Sequence, residues 1–265
     1  MNSNGIIAVA IVTIVAAAAC VCVTADPSDY EPERIGIIGA MDEEVASLKD
    51  AMHLDYTKTV ASMEFFVGKI GNSDVVVVQC GMGKVNAGVC AQTLIAQFNV
   101  RTIINTGVAG SLDNALDIGD FVVSTDAVQH DFDVTPIGFE RGEIPYTGKY
   151  SFEADKDLRA KAVDAIQKCC PDVTVHEGRV CSGDQFISTS EQKDRITSLF
   201  GGLCCEMEGG AIAHICYLND VPFVIIRAIS DKADGSSDMD YEEFKKISAK
   251  RSADAVMYLL EHENL

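Results

Sequence analysis

The sequence predicts an α/β fold: one domain in three layers, α/β/α, built around a twisted, mostly parallel (mixed) central sheet. Short apolar runs alternate along the chain with helical patterns, as strands do when helices cover both faces of a sheet. Three of those runs end in acid: IGIIGAMDEE (35–44), LCCEME (203–208) and VIIRAISD (224–231). No Pro/Ser-rich linker interrupts the pattern, so the globular part reads as one domain.

Residues 34–40 read as the first strand, and Asp42 opens a helix to about 52. A hairpin comes next over 63–70 and 75–80, turning at Gly71-Asn72. Gly81-Met82-Gly83 breaks the chain before a helix over about 85–98. Buried strands are expected at 102–105 and 121–127. Pro136, Gly138, Gly142, Pro145 and Gly148 mark 133–149 as a long loop or lid. A helix near 154–168, strands near 173–181 and 203–207, a helix over 210–218, a strand over 221–228 and a last helix over about 241–261 complete the pattern.

Residues 6–23, IIAVAIVTIVAAAACVCV, are uncharged and apolar, and Val23-Thr24-Ala25 places small residues before Asp26. Residues 1–25 are therefore expected to be a signal peptide, with an uncleaved N-terminal anchor as the alternative, and 26–265 the domain itself. The first reading implies export to a secreted or periplasmic location, the second membrane anchoring. Ala17-Ala18-Ala19-Cys20 also has a faint likeness to a lipoprotein cleavage box.

In the 265 residues, Asp and Glu number 40 against 21 Lys and Arg, a formal charge of -19. Such a surface repels phosphate backbones and anionic lipid, which excludes nucleic acid as a partner and favours a small neutral or cationic ligand. Acidity also serves solubility alone. Of ten cysteines, Cys20 and Cys22 fall in the leader, and most others sit in or beside apolar runs. They read as buried thiols. No zinc-like CxxC spacing occurs, and His130-Asp131-Phe132-Asp133 reads as polar strand-end residues, so no metal and no cofactor are expected.

A strand that ends in an acid delivers that acid to the sheet edge where α/β proteins bind ligands. Each candidate also has a simpler explanation. Glu44 shares a first helical turn with Asp42 and Glu43, where acids suit the helix dipole. Asp231 has the form of an N-cap. Glu206 and Glu208 share a strand face, and Glu206 is the better candidate for pairing with Arg227. Met207 and Phe186 would by default be core. GMGKVNAG (81–88) lacks the spacing of a phosphate loop and reads as a tight turn.

IGIIGAMDEEV (35–45), GMGKVNAG (81–88), INTGVAG (104–110), SGDQFI (182–187), EMEGGAIAH (206–214) and RAISDKAD (227–234), in that order, resemble the 5'-methylthioadenosine/S-adenosylhomocysteine nucleosidases of the nucleoside phosphorylase superfamily. The resemblance spans about 34–260. It implies a nucleoside phosphorylase-like fold and hydrolysis of an adenine N-glycosidic bond. Asp231 would be the general acid to adenine N7, Glu44 would activate water, and Glu208 would bind the ribose hydroxyls above Met207. It further implies that Phe186 stacks on adenine, Ile187 bonds it through its backbone, Ser230 orients Asp231 and Arg227 helps hold the water. Val108, Ala109 and Gly110 would line the site. Met41, Met82, Val134, Ile137, Phe139 and Tyr241 would form an apolar 5' pocket, part of it supplied by a second subunit, so a homodimer is implied.

Val108 stands where bacterial members of that family place a Ser, and Ile137 and Phe139 replace the more usual aromatic pair, which leaves the 5' group open. Asp42, Glu43 and Glu44 would repel a phosphate dianion, so water is the expected nucleophile. A phosphorylase, an aminodeoxyfutalosine-type nucleosidase and an exported nucleosidase-like storage or binding protein are the alternatives.

Overall fold

A computed structural model describes residues 32–234 and 237–265, leaving out the side chains of 237–243. The expected leader at 1–25 lies outside the described residues, and among them no helix is long and apolar enough to cross a membrane.

Among the described residues, ten strands and six helices begin with β1 (Arg34–Gly39) and α1 (Asp42–Ala51), followed by the antiparallel run β2 (His53–Val60), β3 (Met63–Ile70) and β4 (Ser73–Gln79). Next come α2 (Lys84–Gln97), β5 (Val100–Ser111), β6 (Phe121–Gln129), β7 (Phe152–Glu153) and α3 (Lys156–Cys169). The chain continues with β8 (Val175–Ser182), α4 (Ser190–Phe200), β9 (Cys204–Glu206), α5 (Gly209–Leu218), β10 (Phe223–Asp231) and α6 (Ser237–His262).

The strands form one mixed sheet in the order β10-β6-β8-β9-β5-β1-β4-β3-β2, and β10 also pairs with β5. The second pairing bends half of the sheet into a ring, β5-β9-β8-β6-β10. β5 makes this possible by its length. Its first half pairs with β1, its last residues Gly110 and Ser111 pair with β9, and β10 runs along its other side.

Alternating side chains of the buried strands build two large cores, and a smaller third cluster gathers Val128, Cys181 and Cys205 with Ile196 and Phe200 of α4. Ile38, Val76, Val78, Ile103 and Ile225 pack with Leu94 of α2 and Ile212 of α5 on one face. Ile37, Val75, Val77, Ile104 and Ile226 pack with Leu48 of α1, Ile166 of α3 and Val256 of α6 on the other. The predicted three layers are therefore present. Eight described cysteines are free thiols, and seven are buried.

Three features depart from the sequence expectation. β5 runs over Val100–Ser111 rather than 102–105, because the glycines of 104–110 lie inside a strand. Three elements, β2, β7 and α4, have no counterpart in the expected pattern. The loop over 133–149 holds one 3-10 turn, Thr135–Ile137, and an isolated bridge between Ile144 and Lys149.

Candidate active site

The C-terminal ends of β1, β5 and β10 lie side by side. Asp231 is in register with Gly110 and Arg227 with Gly107, so the segment after β1 faces the end of β10 across β5. Between them is a cleft that is open at its mouth. Its walls include Glu44, Glu208 and Asp231, 3%, 6% and 2% exposed.

Glu44 turns back from the first turn of α1. Its Oε2 accepts from the N–H of Ala40 (2.6 Å) and Met41 (2.9 Å), and its Oε1 from the N–H of Val108 (3.1 Å). Three backbone donors thus pin both oxygens. Burial raises its pKa, opposed by Arg227 and by those three N–H groups. Gly107 is what lets β5 approach: a Cβ there would sit 2.4 Å from Glu44 Oε1 and 2.7 Å from Arg227 Nη1.

Glu206 ends β9, Glu208 stands two residues on at the N-cap of α5, and the two divide their work. Glu206 bonds the buried Arg227 guanidinium and the Ser182 hydroxyl, and its Oε2 also accepts from the N–H of Gly209 (2.7 Å). The expected Glu206–Arg227 pairing is present. Arg227 also donates to Asn105 Oδ1 at 2.6 Å. Burial works against its charge, yet Glu206, Glu44 and Glu208 outweigh that and raise its pKa. Glu208 accepts from the N–H of Gly83 (2.8 Å) and stays 3.9 Å from Arg227. Burial first, then the charge of Glu206, pushes its pKa up to about 8. Asp231 does not cap a helix; it ends β10. Ser230 donates to its Oδ2 (2.9 Å) and the Ala233 N–H to its Oδ1 (3.0 Å).

Three carboxyl groups, those of Glu44, Glu206 and Glu208, therefore act on one buried guanidinium, and Asp231 adds a fourth acid to the cleft wall. Such a site favours cationic character in whatever it encloses. Its other walls are apolar: Met41, Met82, Val108, Ala109, Gly110, Phe186, Ile187 and Met207. Among the described residues no cluster of three His, Cys, Asp or Glu could hold a metal ion.

A family model described as the phosphorylase superfamily matches residues 34–261. The 5'-methylthioadenosine/S-adenosylhomocysteine nucleosidase of Staphylococcus epidermidis is 41% identical over 228 residues, 86% of this chain and 99% of that protein. That of Treponema pallidum is 40% identical over 249 residues, 86% of this chain and 92% of its own. The chain belongs to this nucleosidase family. Among solved structures, the Neisseria meningitidis nucleosidase bound to methylthio-immucillin-A superposes with a TM-score of 0.83 at 34% identity, covering 88% of this chain and 100% of that one. The futalosine hydrolase of Helicobacter pylori superposes at 0.82 and 31% identity, covering 87% and 98%.

Twelve of the residues named from sequence line the cleft: the eight apolar wall residues with Glu44, Glu208, Ser230 and Asp231. Arg227 lies behind it, bonded to Glu206. Val134, Ile137 and Phe139 do not line this chain's cleft. Val134 precedes the 3-10 turn, Ile137 is 72% exposed, and Phe139 packs edge-on against Tyr146. The side chain of Tyr241 lies outside the described residues. Ala40, Gln185, Cys205 and Glu206 also line the cleft and were not named as lining. Their signal was available, since each adjoins a named residue or, like Cys205, shares a strand face with one.

Proposed function

We propose that the chain hydrolyses the N-glycosidic bond of 5'-methylthioadenosine and S-adenosylhomocysteine and releases adenine. One observation supports this above the others: Glu44, Glu208 and Asp231 meet in one cleft, each more than nine-tenths buried. Asp231 protonates N7 of the leaving adenine, with Ser230 holding the carboxyl in place. Glu44 activates the attacking water, its raised pKa bringing a carboxylate nearer to the range of an effective base. Glu208 takes the ribose hydroxyls, and Arg227 helps hold the water. Phe186 stacks on the base, Ile187 meets it through its backbone, and Met207 lies beneath the sugar. As the bond breaks, positive charge develops on the ribose, and the surrounding carboxylates stabilise it. Val108 offers its N–H to Glu44 and only methyl groups to the cleft.

The test is adenine release from methylthioadenosine, adenosylhomocysteine and an aminodeoxyfutalosine-type substrate, with and without phosphate. Release from the first two, unchanged by phosphate, is expected. Phosphate dependence would make the chain a phosphorylase, and a folded chain without turnover would make it a storage or binding protein. The futalosine hydrolase superposition supports a second reading, in which the third substrate is the fastest.

The same reading includes a homodimer. Ile137 and Tyr146 in the loop over 133–149 are exposed, as are Met82, Val85 and Val89 around the first turns of α2. A second copy covers these side chains, and Val134, Ile137 and Phe139 complete its 5' pocket.

A further inference from the structure

The two walls of the cleft are carried by separate loops, and a polar cluster outside the cleft ties those loops together. One is the turn 81–83, whose Gly83 N–H holds Glu208. The other is the segment after β8 that presents Gln185, Phe186 and Ile187. Lys84 directly follows the first and Asp184 directly precedes the second. The Lys84 N–H donates to Asp184 Oδ1 (2.8 Å), and the Asp184 N–H donates to Asp131 Oδ2 (2.8 Å). Lys84 Nζ closes the triangle on Asp131 Oδ1 (2.5 Å) and also reaches Gln129 Oε1 (3.2 Å).

Two of these bonds use backbone N–H groups, so they fix main chain, not only side chains. The Lys84 and Asp131 side chains are 16% and 17% exposed, which shields their charge-assisted bond from water. Burial works to raise the Asp131 pKa, but Lys84 and the Asp184 N–H hold it below the usual range, so the carboxylate persists at neutral pH. Packing is close as well: a Cβ on Gly83 would lie 3.1 Å from Asp184 Oδ1. None of the three residues lines the cleft.

We infer that Lys84, Asp131 and Asp184 form a clamp that sets the spacing between the ribose wall and the base wall, which makes Asp184 a positioning residue for the intact nucleoside. The inference rests on the assignment of Glu208 to ribose and of Phe186 and Ile187 to adenine. A ligand that bridges both walls gains from both only when their spacing fits, and small misplacements are costly. Free adenine meets one wall and has no such requirement.

Asp184→Ala is expected to raise KM for methylthioadenosine about tenfold, the equivalent of one lost interaction, with a smaller loss in kcat. Inhibition by free adenine should stay within about twofold, as for an uncoupled site. Asp184→Asn keeps an acceptor for the Lys84 N–H and should restore KM. Lys84→Met should repeat the effect, and it supplies the measurement if Asp184→Ala does not fold. Unchanged KM in both variants would overturn the clamp. So would adenine inhibition weakening in step with KM, since Asp184 would then act on the base wall alone. A wild-type chain that binds neither compound would overturn the nucleosidase reading itself, and the clamp's role with it.

Discussion

Asp231 is held from two sides at the end of a buried strand, and the chemistry assigned to it needs a proton that asparagine cannot supply. Asn at this position keeps the shape and an acceptor for the Ala233 N–H. Asp231→Asn is therefore expected to lower kcat by about 10³-fold or more, within the range of general acid catalysis, while a nucleoside analogue still binds in a titration. Unchanged turnover would remove Asp231 from its role. Glu208 makes a different prediction because its pKa is pushed up to about 8. Only its carboxylate accepts from both ribose hydroxyls, so kcat/KM should rise with pH up to about 8. Stability runs the other way. The folded protein holds this proton more tightly than the unfolded chain, whose value is near 4.5. The contribution is complete below that value and is lost as pH rises through about 8. Glu208→Gln should accordingly raise Tm at pH 9 by roughly 3 °C relative to its effect at pH 5, the scale of about 1 kcal/mol in a domain of this size. Equal effects at both pH values would contradict the assignment.

At the scale of elements, β5 explains how a strand can carry the site. The glycines of 104–110 look like loop residues in sequence, yet they extend β5 so that Glu44 and Asp231 can lie against its backbone. Gly107→Ala would drive a methyl group into Glu44 Oε1 and Arg227 Nη1, and neither can move freely, since three N–H groups pin Glu44 and Glu206 and Asn105 hold Arg227. We expect at least about a 100-fold loss in kcat, as for misplaced catalytic groups, with the far-ultraviolet circular dichroism retained; full activity would mean that Glu44 is not held as described. The strands and helices built from strongly apolar runs were legible because burial dictates their pattern. β2 was not, since HLDYTKTV is an exposed edge strand paired only with β3, and such edges are polar. α4 was missed although its signals are present. Thr189 accepts from the Gln192 N–H at its start, and Gly201 ends it with φ 64°. Its interior is mostly polar, so periodicity gave no cue. In the site, strand period offered Glu206 and Glu208 as partners for Arg227, with Glu206 the better candidate, and the structure gives the bond to Glu206. The roles proposed for Glu44 and Asp231 rest on the six motifs together, because locally each is an ordinary helix-turn or strand-end acid.

The molecule as a whole is strongly acidic, with a formal charge of -19. Two such copies repel one another, so a dimer must draw on apolar contact, and salt should strengthen it by screening the repulsion. Val85 and Val89 stand one helical turn apart on α2, 77% and 42% exposed, and form a small apolar face. Ile137 offers the sharper test. It is 72% exposed in its own chain and absent from its own cleft, so a charge there disturbs little within one subunit. If it instead reaches a neighbour's 5' pocket, Ile137→Asp places a carboxylate among apolar groups and raises KM for methylthioadenosine by at least about tenfold, the usual scale for an unsatisfied polar group there. Tm should barely move. Sedimentation should give twice the mass of one chain for the wild type, with dissociation favoured at low salt. A wild type that sediments as single chains, together with an unchanged KM in Ile137→Asp, would mean that each cleft is complete within its own subunit.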